Sequence, residues 1–501
     1  MNYGYIRELN CNLLDKYNNN EEELTFIDYY LFQLTSFGLS LFREHMLNNS
    51  RISLSEAFLI RCIIEDIAVM RMYDIEEIPD DCTDLLKGYQ FIGEYKIFKK
   101  HKNLDGIVFS FNDIEQNFND VKDFYYQKFG SELSSKKFRS IVNGRLPFLM
   151  ENYSFHSLIE MYCPEFLDIY QQLSIIIHPS EIITNYCYLQ IDLYQNVLKP
   201  IFETIVKEIS KYYPNLTPTY NHEWGYECAY CFGTKDSYSD IVNIHFSQLY
   251  FLKKLKQQIR KDSKLDDDMV CLPEVFFGRI YDELESIIYD RAFGFSEVIK
   301  SKIKPIFEFF AVFYYALTVE NNYDILNLMQ AYTMINYLKV MNEDIEDEIK
   351  KIYPLYKRVF NNEILYEDFV KIITNKSMPE FLGFDDINSF VFKMIDELVI
   401  DLLWQKDMFK MLYEESQTLS HGNGYMLSSN YGTFMDVDAA CGAIDVLILA
   451  LLGKYNDTIQ KNNVTKKLKY DIKKLYKEYI MIHKEKKENE IKIKSKMKNI
   501  K

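Results

Sequence analysis

Two histidines in this chain each follow a tyrosine by eight positions, and each stands where a helix is predicted to end. The two copies are Tyr170-x3-Ser174-x3-His178 and Tyr413-x3-Gln417-x3-His421. Positions i, i+4 and i+8 lie along one helix face, so each copy places a phenol, a polar side chain and an imidazole together. An imidazole exchanges protons near neutral pH, which makes each histidine a candidate general base or a structural hydrogen-bonding group.

Arg61 and Glu65 interrupt an otherwise apolar run, one helical turn apart on the same face. A buried, unpaired charge costs several kcal/mol, so we expect the two to pair with each other or with a third partner. Tyr170, Ser174 and His178 have suitable side chains for that role. The alternative is an amphipathic helix whose polar edge carries both charges.

Cys228 and Cys231 form a Cys-x2-Cys pair, with His222 before it and His245 after it. Cysteine and histidine are the ligands of tetrahedral zinc sites, so these four residues are a candidate zinc site. Standard zinc fingers place their two histidines close together, whereas these flank the cysteines. Ordinary buried or loop cysteines, or a redox pair, are the alternatives. No other cofactor is expected.

Several enzyme classes lack their sequence signatures in this chain. There is no phosphate-binding G-x4-G-K-[ST] loop, no G-x-G-x-x-G dinucleotide motif, no H-E-x-x-H and no G-x-S-x-G. The sequence therefore gives no support to a P-loop NTPase, a dinucleotide-dependent oxidoreductase, a zincin or an α/β-hydrolase.

The elements that must position these residues are predicted to be helices. Gly (17) and Pro (11) are rare among 501 residues, and aromatic residues reach 16%. Few helix breakers favour long helices over a sandwich or barrel with many turns, and the aromatic side chains can fill helical cores. We therefore predict an all-α protein. The helices expected along the chain include residues 21–47, 57–73, 165–178, 181–212, 296–319, 323–351 and 386–416.

The chain divides into two predicted helical-bundle modules. The N-terminal module covers 1–213, a linker with the Cys-x2-Cys pair covers 214–240, the C-terminal module covers 241–460, and a Lys-rich helical tail covers 461–501. Each module has a long apolar helix (57–73; 324–341) followed by a Tyr-x7-His helix, and Phe166 and Phe409 each precede their histidine by twelve positions. These parallels favour duplication, and two unrelated bundles are the alternative.

The charge distribution and the cysteine content limit the cellular location and the binding partners that can be expected. The net charge is −16, although residues 461–501 hold 15 lysines against five acidic side chains. An acidic body is a poor non-specific phosphate binder, whereas a basic tail can bind phosphate modestly. Nine scattered cysteines do not resemble a disulfide framework, and no signal peptide or membrane span is recognisable. We expect a cytoplasmic protein that does not enter membranes.

The Arg61-x3-Glu65 pair, followed by Tyr170-x3-Ser174-x3-His178, resembles the signature of a family of uncharacterised bacterial helical proteins. Both halves more loosely resemble the HEPN superfamily of small helical bundles found in toxins, abortive-infection proteins and other antiviral effectors. HEPN ribonucleases carry an arginine four to six residues before the histidine, and neither copy here does. Nuclease chemistry would therefore need Arg61 to supply the cation. In the second half, Gln330 and Thr333 stand roughly where Arg and Glu would be expected.

The resemblance implies two functions. In one, the protein is a non-catalytic sensor, scaffold or regulator of bacterial antiviral defence. In the other, it is a metal-independent endoribonuclease in which His178 is the general base, Arg61 offsets phosphate charge and Glu65 orients one of them, with Tyr170 and Ser174 lining the pocket. RNA or a protein is the expected partner. HEPN domains commonly pair, so a homo-oligomer or an intramolecular pseudo-dimer is expected.

Overall fold

The computed structural model describes residues 3–20, 24–47, 54–75, 154–177, 194–217, 296–319, 322–360, 363–399 and 406–419, with isolated positions at 123–132, 283–290 and 442–454. Helices make up 88% of this described part, which contains no strand. The all-α prediction is confirmed. None of the described helices is long and apolar enough to cross a lipid bilayer.

The described helices of the first half surround one hydrophobic core. They are α1 (Tyr3–Asn20), α2 (Phe26–Leu47), α3 (Leu54–Ile75), α4 (Phe155–Tyr162), α5 (Leu167–Ile177) and α6 (Lys199–Tyr212). A 3-10 turn, Pro164–Phe166, leads into α5, and a π turn, Tyr194–Leu198, leads into α6. Helix α3 packs against α2, α4 and α5.

The second half has its own hydrophobic core. Its described helices are α7 (Ser296–Thr318), α8 (Asn322–Val340), α9 (Glu346–Phe360), α10 (Tyr366–Asn375), α11 (Met378–Phe381), α12 (Ile387–Leu398) and α13 (Lys406–Leu419). Helix α7 packs against α12 and α13, and it also contacts α2 and α3 of the first half. Helix α7 therefore belongs to the second core and contacts the first.

Two helices that were predicted as continuous are broken. The 323–351 prediction is wrong because α8 ends at Val340 and Asn342 adopts a left-handed conformation (φ 56°). Asparagine tolerates that conformation, which ends a helix as a glycine would. The 386–416 prediction is wrong because α12 ends at Leu398, where Val399 becomes extended. Helices α1 and α4 were not predicted, because polar residues dilute the apolar periodicity of α1 and because α4 has only eight residues.

Candidate functional site

The Arg61–Glu65 pair lies inside the first core because α3 is buried on nearly all of its faces. Apolar side chains surround this helix, so it has no polar stripe that could hold charges in solvent. The Glu65 side chain is fully buried, and the Arg61 side chain keeps 13% of its surface exposed. The alternative of a solvent-facing polar edge is therefore wrong.

Arg61, Glu65 and Tyr170 form one hydrogen-bonded cluster. Arg61 Nε donates to Glu65 Oε1 at 3.1 Å, and the Tyr170 hydroxyl donates to the same oxygen at 2.8 Å. The guanidinium carbon also lies 5.4 Å from the centre of the Tyr170 ring. Helix α5 supplies the tyrosine, since it packs directly on α3. The pairing expected from the sequence, with a third partner, is present.

The protonation states follow from burial and neighbouring charges. Burial raises the pKa of Tyr170, and Glu65 raises it further while Arg61 opposes the shift. The phenol therefore stays protonated and remains a hydrogen-bond donor. Burial alone would lower the pKa of Arg61, but Tyr170 and Glu65 outweigh it and the pKa is raised. The cluster is an ion pair capped by a neutral phenol.

Asp66 adds a second buried carboxyl beside Glu65, which the sequence reasoning missed. Gln33 Nε2 donates to Asp66 Oδ1 at 2.9 Å. Asp66 Oδ2 has no hydrogen-bond partner in the described part of the chain. Burial raises the pKa of Asp66 well above its usual value, and Glu65 adds to the shift while Gln33 opposes it. The folded protein therefore favours the protonated, neutral form of Asp66.

Ser174 does not join the cluster. Its hydroxyl donates to the Tyr170 carbonyl of its own helix at 2.8 Å, which is the back-bonding typical of serine in helices. His178 and His421 lie just beyond the described ends of α5 and α13, outside the described residues. The catalytic roles assigned to Ser174 and the two histidines stay predictions.

The second half repeats the carboxylate–tyrosine pair with different residues from those predicted. The Tyr413 hydroxyl donates to Glu308 Oε1 at 2.9 Å, across 105 residues. Tyr170 and Glu65 are also separated by 105 residues. Lys304 stands one helical turn before Glu308, as Arg61 stands before Glu65.

The prediction that Gln330 and Thr333 occupy the Arg and Glu positions is wrong. Both lie on α8, where Gln330 is exposed and Thr333 donates to the Met329 carbonyl at 3.0 Å. The helix that faces Tyr413 is α7. Gln417, predicted to share a face with Tyr413, donates from Nε2 to Asn388 Oδ1 at 2.5 Å.

The sequence contains a pattern that identifies α7 as the counterpart of α3. Two runs at equal distances from their tyrosines have the same pattern, and they read Ile60-Arg61-x-Ile63-x-Glu65-x-x-Ala68-Val69 and Ile303-Lys304-x-Ile306-x-Glu308-x-x-Ala311-Val312. A search for arginine misses the second run because lysine replaces it. Pro305 also follows the lysine directly and lies inside helix α7. Because proline usually ends a helix, it makes the second run harder to recognise as a helical counterpart of the first.

The two halves differ in how the cation is held. Arg61 bonds Glu65 directly, whereas Lys304 Nζ makes no hydrogen bond or ion pair with any residue that the structure describes. Burial lowers the pKa of Lys304; Arg61 lowers it further, and Glu308 and Glu65 oppose the shift. Since Arg61 and Glu65 act on Lys304, the two clusters are close enough to interact where α3 meets α7.

A third polar cluster joins the halves around Lys302, which is fully buried. Its Nζ forms an ion pair with Asp290 Oδ2 at 2.5 Å and another with Glu44 on α2. Ser40, also on α2, donates to Asp290 Oδ1 at 2.8 Å. Ser286 donates to Glu44 at 2.5 Å. The first half thus contributes a carboxylate to the buried lysine of the second.

Metal binding is not tested by the described residues. They contain no group of three or more His, Cys, Asp or Glu side chains that could hold a metal ion. Cys228, Cys231, His222 and His245 lie outside them, as does most of the 214–240 linker. The zinc site stays a prediction.

No protein-family model, curated protein or solved structure matches the chain. The resemblance to HEPN proteins therefore stays a prediction. The function has to be inferred from the three buried clusters and from the contact between the halves.

Proposed function

We propose that this chain is a HEPN-like protein of bacterial antiviral defence, built from two duplicated helical modules that pair within one chain. It acts as a non-catalytic sensor, scaffold or regulator. The observation that carries the proposal is the repeated carboxylate–tyrosine pair, Glu65–Tyr170 and Glu308–Tyr413, with the same separation of 105 residues in each half.

Duplication is supported by the agreement of sequence and packing. Phe166 and Phe409 stand four residues before the paired tyrosines, and both phenylalanines are buried. In each half the carboxylate helix packs on the tyrosine helix, α3 on α5 and α7 on α13. Two unrelated bundles would not be expected to share the same separation between carboxylate and tyrosine, because any insertion or deletion in one of them would change it. The equal separations therefore favour duplication over chance.

The saturation of the Glu65 carboxylate supports a non-catalytic role. Arg61 and Tyr170 both donate to its Oε1, and its side chain is closed to solvent. A carboxylate engaged in this way holds two helices in register, because a shift of either helix would leave a buried charge without partners. A general acid or base must instead reach its substrate.

Phage plating on cells that express the chain tests this proposal. The variant Arg61→Met/Glu65→Leu replaces the ion pair with apolar groups of similar size, a change that is often neutral for stability. We expect it to restrict phage as the wild type does, and exposed Lys371→Met is the matched control. Loss of restriction by a double variant that remains folded, as judged by circular dichroism, would count against a purely structural role.

A second function, metal-independent endoribonuclease, is favoured by one observation. The Arg61 side chain is still 13% exposed, α3 contacts α7, and the Arg61 charge acts on the half-buried Lys304 of α7. Two cations there suit a phosphodiester, with His178 as the base. Total RNA incubated with wild type and with His178→Ala distinguishes the two functions. Cleavage lost only in the variant supports the nuclease, and equal results with both proteins exclude it.

A further inference from the structure

We propose that serine–carboxylate matching sets the register in which the two halves pair, so that each half fits a partner that presents serines opposite its acids and acids opposite its serines. The partner that fits is the other half of the same chain. This matching rests on the proposed pairing of the two modules and specifies which side chains select it. We call the contact surface the seam, and its residues are Ser40, Glu44 and Ser55 of the first half and Glu283, Ser286, Asp290 and Lys302 of the second.

Two hydrogen bonds across the seam exchange the roles of serine and acid between the halves. Ser40 on α2 donates to Asp290 Oδ1 at 2.8 Å, and Ser286 donates to Glu44 Oε1, also on α2, at 2.5 Å. From the first bond to the second, the residue number rises along α2 and falls along the second half, so the two segments run antiparallel. All four side chains are buried, and each of them has a partner in the opposite half.

A third pair extends the matching to α3. The Ser55 hydroxyl donates to Glu283, and the Ser55 backbone N–H donates to Glu283 Oε1 at 3.3 Å. Glu283, Ser286 and Asp290 are helical and buried, and their spacing places them on one helix face. One face of this second-half segment therefore meets α2 and the start of α3 with a serine–carboxylate bond at each contact.

A displacement of α2 by one helical turn would destroy the matching. In one direction Glu44 would lie opposite Asp290, so two carboxylates would face each other in the buried contact. In the other direction Ser40 would lie opposite Ser286, and Glu44 and Asp290 would both lose their hydroxyl donors from the opposite half. Buried acids that lose their donors are costly. The observed register is therefore favoured over both neighbouring ones.

Lys302 adds charge to the same selection. Its side chain is fully buried, and its Nζ contacts carboxylates of both halves, Glu44 and Asp290. The same Nζ lies 3.4 Å from the Ser40 hydroxyl. A displacement that put Ser40 in the place of Glu44 would take the carboxylate of the first half away from the ammonium. Fixing one register is the best-attested role of buried polar and charged groups.

An exchange of two seam residues in the full chain tests the matching. Ser40→Asp places a further carboxylate beside Glu44 and Asp290, so we expect a lower Tm by circular dichroism. We also expect a larger radius of gyration by small-angle X-ray scattering, because the halves separate. Adding Asp290→Ser returns the same groups to the seam with their positions exchanged, and it should recover most of both changes. Asp290→Ser alone completes the double-mutant cycle.

Ser36 provides a matched control on the same helix. It is buried one turn before Ser40, but its hydroxyl accepts from Asn10 Nδ2 of its own half at 2.8 Å. Ser36→Asp should lower Tm without separating the halves, and Asp290→Ser should recover none of that loss. A recovery confined to Ser40→Asp therefore reports the contact across the seam.

The matching is wrong if Ser40→Asp/Asp290→Ser loses as much stability as the two single changes together, or if Ser40→Asp keeps the Tm and the radius of gyration of the wild type. Should Ser40→Asp fail to fold, Ser40→Ala and Asp290→Asn form the same cycle without added charge, and additive losses again contradict the matching. Either failure leaves the scaffold proposal standing, because phage restriction by Arg61→Met/Glu65→Leu tests that proposal separately.

Discussion

Tyr413 donates its hydroxyl to Glu308 at 2.9 Å, and the hydrogen bond joins α13 to α7 in the centre of the second core. The ring is also stacked parallel to Phe307, with centroids 6.2 Å apart. The tyrosine thus fixes α13 by packing and by a directed bond. Tyr170 fixes α5 on α3 in the same way, with a cation–π contact in place of the stacked ring.

The variants Tyr170→Phe and Tyr413→Phe should each lower the free energy of unfolding by about 2 kcal/mol. Each removes a donor from a buried carboxylate while it keeps the aromatic ring, and hydrogen bonds to charged groups contribute roughly 1.5–3 kcal/mol. Urea denaturation measures the change. Tyr315→Phe is the control because its hydroxyl has no hydrogen bond within the described structure. Equal stability losses in all three variants would contradict the prediction.

Arg61→Met alone should be more destabilising than Arg61→Met/Glu65→Leu. The single change removes the cation that Arg61 places beside the buried Glu65 carboxylate, and breaking a buried pair costs about 3–5 kcal/mol. The double change removes both charges. A double-mutant cycle in guanidinium chloride measures the coupling energy. If the double variant loses as much stability as the sum of the single variants, the two residues are not coupled.

Lys302→Met should destabilise the contact between the halves. The substitution leaves Glu44 and Asp290 buried without their cation, for which we expect a loss of about 3–5 kcal/mol. Adding Glu44→Gln and Asp290→Asn removes the two negative charges and should recover more than half of that loss. Limited proteolysis shows whether the halves separate. An unchanged cleavage pattern and unchanged stability in Lys302→Met would contradict the prediction.

The Asp66 carboxyl should give stability a defined pH dependence. Burial and Glu65 raise its folded-state pKa well above that of an ordinary aspartic acid, although Gln33 opposes the shift, so the folded state binds this proton more tightly than the unfolded state does. The contribution of Asp66 is therefore complete below about pH 4 and is lost as pH rises through the raised pKa.

Asp66→Asn keeps the acceptor for Gln33 and cannot ionise. Its stability relative to wild type should therefore increase between pH 4 and pH 8, as measured by urea denaturation at each pH. Asp407→Asn, an exposed change on α13, is the matched control. A stability difference that stays constant with pH would show that Asp66 does not titrate as inferred.

The all-α class and the Arg61–Glu65 pairing were predictable because each depends on local information. Rare breakers specify helices, and a charged pair one turn apart in an apolar run has few other ways to be satisfied. The third partner, Tyr170, was among the side chains the sequence offered. Tyr170 rather than Ser174 is the third partner because of side-chain length. The Ser174 hydroxyl bonds the backbone of its own helix, whereas the Tyr170 hydroxyl extends across to Glu65 on the neighbouring helix.

The counterpart of the Arg61–Glu65 pair in the second half was harder to predict, because its cation is a lysine that precedes a proline. The parallel between the apolar helices 57–73 and 324–341 favours α8, whereas the interval that separates Tyr170 from Glu65 leads to Glu308 on α7. Contacts between the halves were not predictable at all. Lys302 meets Glu44 across 258 residues, and no local pattern links such distant positions.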